Sequence, residues 1–92
     1  MIKSFRHKGL KQLFESDSKR GVSAALAPRL KRQMDVLDNA QSAADMNLPG
    51  YGWHELKGDR KGTWSVTVSG NWRLTFKFQD GEADDVDLED YH

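Results

Sequence analysis

Residues 63–88, TWSVTVSGNWRLTFKFQDGEADDVDL, decide the fold of this 92-residue chain. Apolar and polar residues alternate along three runs, which are separated by SGN at 69–71 and QDG at 79–81. A period of two is typical of strands with one buried face, and short polar interruptions of this kind are typical of hairpin turns. The stretch therefore predicts an antiparallel meander of three strands with one apolar face.

The two interruptions also predict how the strands pair. The apolar faces of neighbouring strands coincide only if, in each directly opposed pair, the two residue numbers add up to an even value. This condition favours three-residue loops over two-residue loops. The pairs expected from such loops are Val66 with Leu74, Val68 with Trp72, Leu74 with Val86, and Trp72 with Leu88. The same register places Arg73 opposite Asp87, on the polar face.

Two amphipathic helices are predicted before the meander. The first is HKGLKQLFES at 7–16, in which Leu10, Leu13 and Phe14 have the spacing of one helix face. The segment DSKRG at 17–21 ends it. The helical spacing identifies the surface that packs on the sheet.

The second helix is predicted from about Ala25 to Asn39. Its buried stripe consists of Leu26, Leu30, Met34 and Leu37. Pro28 favours a late start, because proline belongs in the first turn of a helix. Residues 1–5 are predicted as a short strand that joins the sheet. The predicted fold class is α+β: a small antiparallel sheet with both helices packed on one face, in a single domain spanning residues 1–92.

Composition bounds the class of protein. The chain has no cysteine, which excludes disulfides and thiolate zinc sites and suits a reducing compartment. The opening segment MIKSFRHKGLKQLF lacks the apolar region and cleavage site of a signal peptide. No apolar run approaches the ~20 residues of a membrane-spanning helix. We therefore expect a soluble, cytoplasmic protein without a membrane partner.

The net charge of zero hides an asymmetry along the chain. All 14 Lys and Arg residues lie within residues 1–77, beside seven of the 14 acidic residues. The other seven acids lie within residues 78–92, which contain no Lys or Arg. A basic body can bind a polyanion such as nucleic acid. Charge alone favours the plainer interpretation, in which two solvated faces of opposite sign attract each other.

Three motifs occur in order: WHELKGDRKGTWSVTV at 53–68, NWRLTF at 71–76 and DYH at 90–92. In a chain of this length they resemble, from end to end, the HigB toxins of bacterial toxin–antitoxin modules, within the RelE/ParE superfamily. The resemblance implies a RelE-like fold and a ribosome-dependent endoribonuclease that cuts mRNA in the ribosomal A site. The implied partners are the 70S ribosome with its mRNA and a cognate HigA-type helix-turn-helix antitoxin.

The resemblance also implies which residues form the site. Carried over as catalytic are His54, Asp90, Tyr91 and His92, and carried over as supporting cations are Lys57 and Arg73. All six residues are present in this sequence.

These residue types suit RNA cleavage by the 2′-hydroxyl of the RNA itself. That route needs a base, an acid for the departing 5′-oxygen, and cations for the phosphate charge. Two imidazoles can supply base and acid, with His92 favoured as the base, although the residues do not decide which imidazole performs which step. Asp90 would orient a histidine, and Tyr91 would stack on a base or bind the phosphate. The expected products are a 2′,3′-cyclic phosphate and a 5′-hydroxyl.

Nine further basic residues are predicted to hold RNA or ribosomal phosphates. They are Lys8, Lys11, Lys19, Arg20, Arg29, Lys31 and Arg32 on the helical half, and Arg60 and Lys61 in a glycine-bounded loop. The last predicted strand, GEADDVDLEDYH at 81–92, contains more acidic residues than is usual in toxins of this kind. That departure predicts either a surface facing the antitoxin or an edge held by salt bridges.

Each site residue also has a structural interpretation. His54 alternates with Leu56 and could be a half-buried strand histidine, Arg73 could merely pair with Asp87, and Lys57, like its loop neighbours, could be simply solvated. Tyr91 could be a packing residue and His92 a disordered end. His7, His54 and His92 show no close ligand spacing, so neither a metal site nor a cofactor is expected.

Two questions remain open at the level of sequence. The first is function: a ParE-like toxin would use the same fold to inhibit DNA gyrase without catalysis, and would have no need of His54 and His92. The second is geometry, because strict alternation places Asp90 and His92 on the apolar face of the last strand, with Leu88. Convergence of the site would therefore require a bulge, a bend or a strand that ends before Asp90.

Overall fold

The computed structural model describes residues 1–90. Within that range the chain forms two α-helices and a four-stranded antiparallel sheet, which confirms the predicted α+β class. The elements are α1 (Lys8–Ser16), α2 (Ala27–Asn39), β1 (His54–Glu55), β2 (Thr63–Ser69), β3 (Trp72–Gln79) and β4 (Glu82–Asp90), with short 3₁₀ turns at Ala43–Met46 and Gly58–Arg60. Neither helix in this range has the length and apolar character needed to cross a membrane.

The helices begin and end where local chemistry dictates. The ring of His7 caps α1 by accepting a hydrogen bond from the Leu10 amide through Nδ1, at 3.1 Å. Asp17 ends α1 in a left-handed conformation, with φ 56°. In α2, Pro28 lies in the first turn, as predicted, and the helix begins at Ala27, two residues after the predicted start.

The strands follow chain order across the sheet, β1-β2-β3-β4. Residues 1–5 differ from the predicted short strand, because they make two isolated parallel bridges to β4, Ile2 to Ala83 and Phe5 to Val86. Between the bridges the hydroxyl oxygen of Ser4 accepts a hydrogen bond from the Asp85 amide, at 2.9 Å. That side-chain contact takes the place of a regular backbone hydrogen bond, so the pairing does not extend into a strand.

The register of the meander differs from the prediction at both turns. Val66 faces Leu74 as predicted. The other three predicted pairs are wrong, because Ser69 faces Trp72, Leu74 faces Leu88 and Trp72 faces Asp90.

Two-residue turns and bulges explain this outcome. Asp80 and Gly81 both have positive φ, 53° and 78°, which is the geometry of a two-residue hairpin turn. A bulge at Asp85, with φ 53°, then shifts the β3–β4 pairing by one residue, and a second irregularity between Thr67 and Ser69 does the same for β2 and β3. The apolar faces of the strands therefore coincide, as predicted. They are brought into phase by a bulge before or after each two-residue turn, and not by a three-residue loop.

One face of the sheet packs against both helices and forms the core. The residues of this core that are fully buried include Leu10, Leu30, Met34, Leu37, Val66, Leu74, Phe76 and Val86. The predicted α2 stripe is buried along its whole length. Both helices pack on the same face, so the opposite face carries the polar residues of each strand.

A close backbone contact joins α1 to the loop that follows it. A Cβ atom added at Gly9 would lie 2.3 Å from the carbonyl oxygen of Gly21, and one added at Gly21 would lie 2.5 Å from the Cα of Gly9. Backbone atoms cannot move aside as a flexible side chain can. Both glycines are therefore required by packing.

We expect Gly9→Ala to lower the free energy of unfolding by about 1–3 kcal/mol, the usual cost of overpacking. The loss should occur although alanine is the better helix former by about 1 kcal/mol. Urea unfolding measures the difference, and Glu15→Ala, on the exposed side of the same helix, is the matched control with a small effect. A Gly9→Ala protein as stable as the wild type would contradict the close contact.

Candidate active site on the open sheet face

The open face of the sheet carries a row of polar residues that crosses all four strands. His54 on β1 faces Ser65 on β2, Ser65 faces Thr75 on β3, and Thr75 faces Asp87 on β4. Strands lie about 4.8 Å apart, so His54 and Asp87 are separated by roughly 14 Å of sheet. Ser65 and Thr75 in the middle of the row are buried, whereas His54 at one end is exposed and Asp87 at the other is half-buried.

His54 is exposed, so its interpretation as a half-buried strand histidine is wrong. Its Nδ1 lies 2.9 Å from the carbonyl oxygen of Gly52. A carbonyl oxygen only accepts hydrogen bonds, so this contact requires the proton on Nδ1. Nε2 is then the ring atom that is left for a ligand.

A second row lies beside the first and contains Thr67, Arg73 and Glu89. The predicted pairing of Arg73 with Asp87 is wrong, because the revised register places Arg73 opposite Glu89. The Arg73 guanidinium donates through Nη1 to the carbonyl oxygens of Gly70, at 2.6 Å, and Trp72, at 3.1 Å. These contacts orient the guanidinium at the β2–β3 turn.

The strongest polar contact on this face joins Arg60 to Glu89. Both terminal nitrogens of Arg60 donate to the two carboxylate oxygens of Glu89, at 2.7 and 2.6 Å. The hydroxyl of Thr75 donates to the same carboxylate at 2.5 Å. Arg60 belongs to the β1–β2 loop and Glu89 to β4, so the Arg60 side chain reaches across the faces of β2 and β3.

This contact fixes the charge of Glu89. The hydrogen bonds from Arg60 lower the pKa of the Glu89 carboxyl below its ordinary value, against the opposing effect of burial, and Thr75 and the charge of Arg6 lower it further. Glu89 correspondingly raises the pKa of Arg60. At neutral pH the residue is therefore a carboxylate, which accepts hydrogen bonds and holds no proton to donate.

Two hollows share Arg60, one on the open face and one at β1 and the β1–β2 loop. The first, of about 200 Å³, is lined by Arg6, Asp59, Arg60, Lys61, Thr63, Thr75, Lys77, Asp85, Asp87 and Glu89. The second, of about 390 Å³, is lined by His54, Glu55, Leu56, Lys57 and Arg60. The predicted residues His54 and Lys57 thus meet in one hollow, and the charges of β4 lie in the other.

The remaining predicted site residues fall in different places. Strand β4 continues to Asp90, and its bulge precedes Val86, so alternation from Val86 to Asp90 is undisturbed. Asp90 is exposed and faces Trp72, on the side of the strand that carries Leu88, while Glu89 lies on the open face. Tyr91 and His92 lie outside the described residues, and their site roles stay predictions.

The basic residues predicted to bind RNA divide into two groups. Arg29, Lys31 and Arg60 have contacts within the chain: Arg29 with the Gly50 carbonyl at 3.2 Å, Lys31 with Asp17 at 3.0 Å, and Arg60 with Glu89. The exposed group consists of Lys8, Lys11, Lys19, Arg20, Arg32 and Lys61.

The acidic last strand is an edge held in part by salt bridges, which was one of the two sequence alternatives. Besides Glu89, Asp85 lies 3.8 Å from Lys77, and Glu82 lies 4.0 Å from Lys3. The latter two pairs are largely exposed and contribute little to stability. Across residues 1–90, no three His, Asp or Glu side chains are grouped as ligands for a metal ion.

Sequence reasoning missed the roles of Glu89 and Thr75. The alternation of β4 already placed Glu89 on the polar face, next to Leu88 on the apolar one. Its partners were hidden by the predicted register, which gave Arg73 the wrong neighbour, and by the length of the Arg60 side chain, which reaches over two strands. Neither contact has a spacing signal in the sequence.

Comparison with a solved structure identifies the fold. A crystal structure of a YafQ mutant from E. coli superposes with a TM-score of 0.60, at 22% identity, over 98% of this chain and 91% of that chain. This likeness establishes the shared α+β fold. The class of protein is then given by a family model that describes a RelE-like toxin of a type II toxin–antitoxin system.

That model is the HigB-like toxin family, and it matches residues 3–92. The chain is also 48% identical to Endoribonuclease HigB of Proteus vulgaris over 92 residues, the full length of both proteins. It is 34% identical to Toxin HigB-1 of Vibrio cholerae serotype O1 over 85 residues, 90% of each protein. The chain belongs to the HigB-like toxins, and the predicted family is confirmed.

We expect Glu89→Gln to lower the free energy of unfolding by about 1 kcal/mol at neutral pH, because Arg60 is 41% exposed and solvent weakens the pair. The folded protein lowers the pKa of Glu89, so the contribution is complete above the ordinary glutamate pKa. It is lost as the pH falls through the lowered value. The stability difference between wild type and variant should therefore shrink on acidification.

Urea unfolding from about pH 7 to about pH 3 tests this expectation. Glu15→Gln, at an exposed carboxylate of α1, is the control for the loss of one negative charge. A Glu89→Gln deficit that stays constant across the series would show that the ionised pair does not stabilise the fold.

Proposed function

We propose that this protein is a ribosome-dependent endoribonuclease toxin that cuts mRNA in the ribosomal A site and is neutralised by a cognate antitoxin. Membership of a type II toxin–antitoxin family and full-length similarity to a protein named Endoribonuclease HigB support the activity. The observation that carries the assignment to this surface is the exposed His54 on the open face, in one hollow with Lys57 and beside a charged cavity.

The proposed chemistry is attack of the RNA 2′-hydroxyl on the adjacent phosphate. A base takes the 2′-hydroxyl proton as the O2′–P bond forms, and an acid protonates the 5′-oxygen as the P–O5′ bond breaks. The products are a 2′,3′-cyclic phosphate and a 5′-hydroxyl. Two imidazoles, His54 and His92, supply the base and the acid, with His92 favoured as the base.

The environment of His54 supports a role in proton transfer. Its hydrogen bond from Nδ1 to the Gly52 carbonyl fixes the orientation of the ring and leaves Nε2 for the RNA. On this proposal His54 acts in its doubly protonated, imidazolium form: Nδ1–H stays on the Gly52 carbonyl, and the Nε2 proton passes to the leaving 5′-oxygen. The roles carried over for Asp90, which would orient a histidine, and for Tyr91, which would stack on a base or bind the phosphate, stay predictions, and Asp90 lies on the Leu88 side of β4 and not on the open face.

Cations stabilise the charge that develops on the phosphate. Lys57 lies in the same hollow as His54, and the Arg73 guanidinium is oriented at the β2–β3 turn by its contacts to the carbonyl oxygens of Gly70 and Trp72. Donors that are oriented before the substrate arrives are the most effective stabilisers of a transition state.

The exposed basic residues of the helical half suit contacts with ribosomal RNA phosphates. Among the predicted set, Lys8, Lys11, Lys19, Arg20 and Arg32 are exposed, and we expect them to contribute more than Arg29 and Lys31, which have partners within the chain. The proposed partners are the 70S ribosome with its mRNA and a HigA-type helix-turn-helix antitoxin. A ribosomal target implies action in the cytoplasm.

We expect His54→Ala and His92→Ala each to reduce cleavage by at least about a hundredfold, since removal of a general acid or base typically costs that much. Binding of the antitoxin should be unchanged. Primer extension on a defined message programmed on ribosomes measures the cleavage. The matched control is His7→Asn, which changes the third histidine of the chain but keeps a side chain that can cap α1.

Cleavage at the wild-type rate in both alanine variants would overturn the catalytic assignment. Growth arrest in cells without any cut by the wild-type protein would instead indicate a ParE-like toxin with a gyrase target.

A further inference from the structure

The β1–β2 loop, residues 56–62, carries Lys57 and Arg60 and follows a very short strand. Strand β1 pairs with β2 through two residues, His54 with Ser65 and Glu55 with Trp64. At the base of the hairpin the Leu56 amide donates to the Thr63 carbonyl oxygen and the Gly62 amide donates to Glu55, both at 2.8 Å, and Leu56 is buried. These contacts anchor the two ends of the loop to β1 and β2 but do not attach its middle to β3 or β4.

The Arg60–Glu89 ion pair attaches this loop to the far edge of the sheet. Arg60 donates two hydrogen bonds to Glu89 across the open face. The hydroxyl of Thr75, on the intervening strand β3, donates a third hydrogen bond to the same carboxylate. Paired guanidinium and carboxylate groups fix both distance and angle, because the two donors and the two acceptors are planar. The loop is thereby held at one orientation relative to β4.

The two ends of this contact belong to the two halves of the proposed site. Arg60 lines the hollow that contains His54 and Lys57. Glu89 directly precedes Asp90, which begins the DYH motif. The ion pair therefore joins the segment that carries one predicted imidazole to the segment that carries the other.

We propose that Arg60 and Glu89 are positioning residues of the endoribonuclease, a clamp that aligns His54 and Lys57 with the end of β4. The position of Arg60 in a basic loop predicts that it binds an RNA phosphate. In the clamp it does not: it acts through Glu89. The clamp rests on the proposed function. Arg60 and Glu89 would then affect the reaction only by aligning other residues of the site.

Charge supports this assignment. Each terminal nitrogen of Arg60 donates one hydrogen bond to Glu89, whose side chain is 26% exposed. Transfer of Arg60 to an RNA phosphate would leave a half-buried carboxylate next to that phosphate, and the two anions would repel each other. The guanidinium therefore serves the reaction best by remaining on Glu89.

Cleavage of ribosome-bound mRNA by Arg60→Met, Glu89→Gln and the double variant distinguishes the two roles of Arg60. We expect each single variant to lower kcat by roughly tenfold to a hundredfold, the usual effect of a small misplacement, with the half-saturating ribosome concentration unchanged. The double variant should be no slower than the slower single variant, because both changes release the same contact. Arg60→Lys should be intermediate, since lysine keeps the charge but makes a single-point contact.

An RNA-binding Arg60 gives the opposite pattern and would overturn the clamp. Arg60→Met would then raise the half-saturating ribosome concentration, and Glu89→Gln would leave it unchanged or lower it by releasing the guanidinium. The matched controls are Lys3→Met and Glu82→Gln, which remove an exposed ion pair that also involves β4. We expect both to cleave at the wild-type rate.

Hydrogen–deuterium exchange of residues 56–62 tests the alignment without reference to activity. Glu89→Gln and Arg60→Met should speed exchange in this loop, and Glu82→Gln should not. Unchanged exchange would overturn the clamp even if the wild-type enzyme cuts mRNA. If the wild type fails to cut, the proposed function fails and exchange alone still decides whether the loop is clamped. Should Glu89→Gln not fold, Thr75→Val, which removes one donor to Glu89, is expected to give the same changes to a smaller extent.

Discussion

The apolar face of β2, β3 and β4 packs against α1 and α2, and the rest of the structure depends on that one-sided burial. Leu74 and Phe76 of β3 are fully buried in the same core as Leu30 and Met34 of α2. Because successive side chains of a strand point to opposite faces, burial of one set commits the other set to the open face. The row from His54 to Asp87 and the row that contains Arg73 and Glu89 are consequences of this commitment.

The bulge at Asp85 determines which residues meet on the open face. A two-residue turn at Asp80 and Gly81 would, by itself, bring the apolar side of β4 out of phase with that of β3. The bulge restores the phase and moves Glu89 opposite Arg73. It also frees the Asp85 amide for the Ser4 hydroxyl, so the same irregularity shapes the attachment of the N-terminal segment.

Ion pairs make the acidic strand β4 compatible with a role in cutting RNA. A run of carboxylates beside a substrate phosphate would oppose binding, but Glu89 and Asp85 each lie against a basic residue, Arg60 and Lys77. Part of the negative charge of β4 is therefore compensated locally on the open face, and the exposed bases that are predicted to bind RNA lie mainly on the helical half. The exposed bases of the helical half and the paired charges of the open face are thus separate surfaces, and each can be tested by its own substitutions.

The sequence by itself determined the fold class, both helices with their buried stripe, the extent of the meander and the family. These follow from periodicity and from motifs, which are local properties of the chain. It also placed His54 and Lys57 in one motif, and the structure brings them into one hollow. Only the tertiary structure decided the register of β4, the short parallel bridges of residues 1–5 and the contact of Arg60 with Glu89. Each of these depends on a bulge or on a long side chain that spans two strands, and the energy of such features comes from partners that are distant in the sequence.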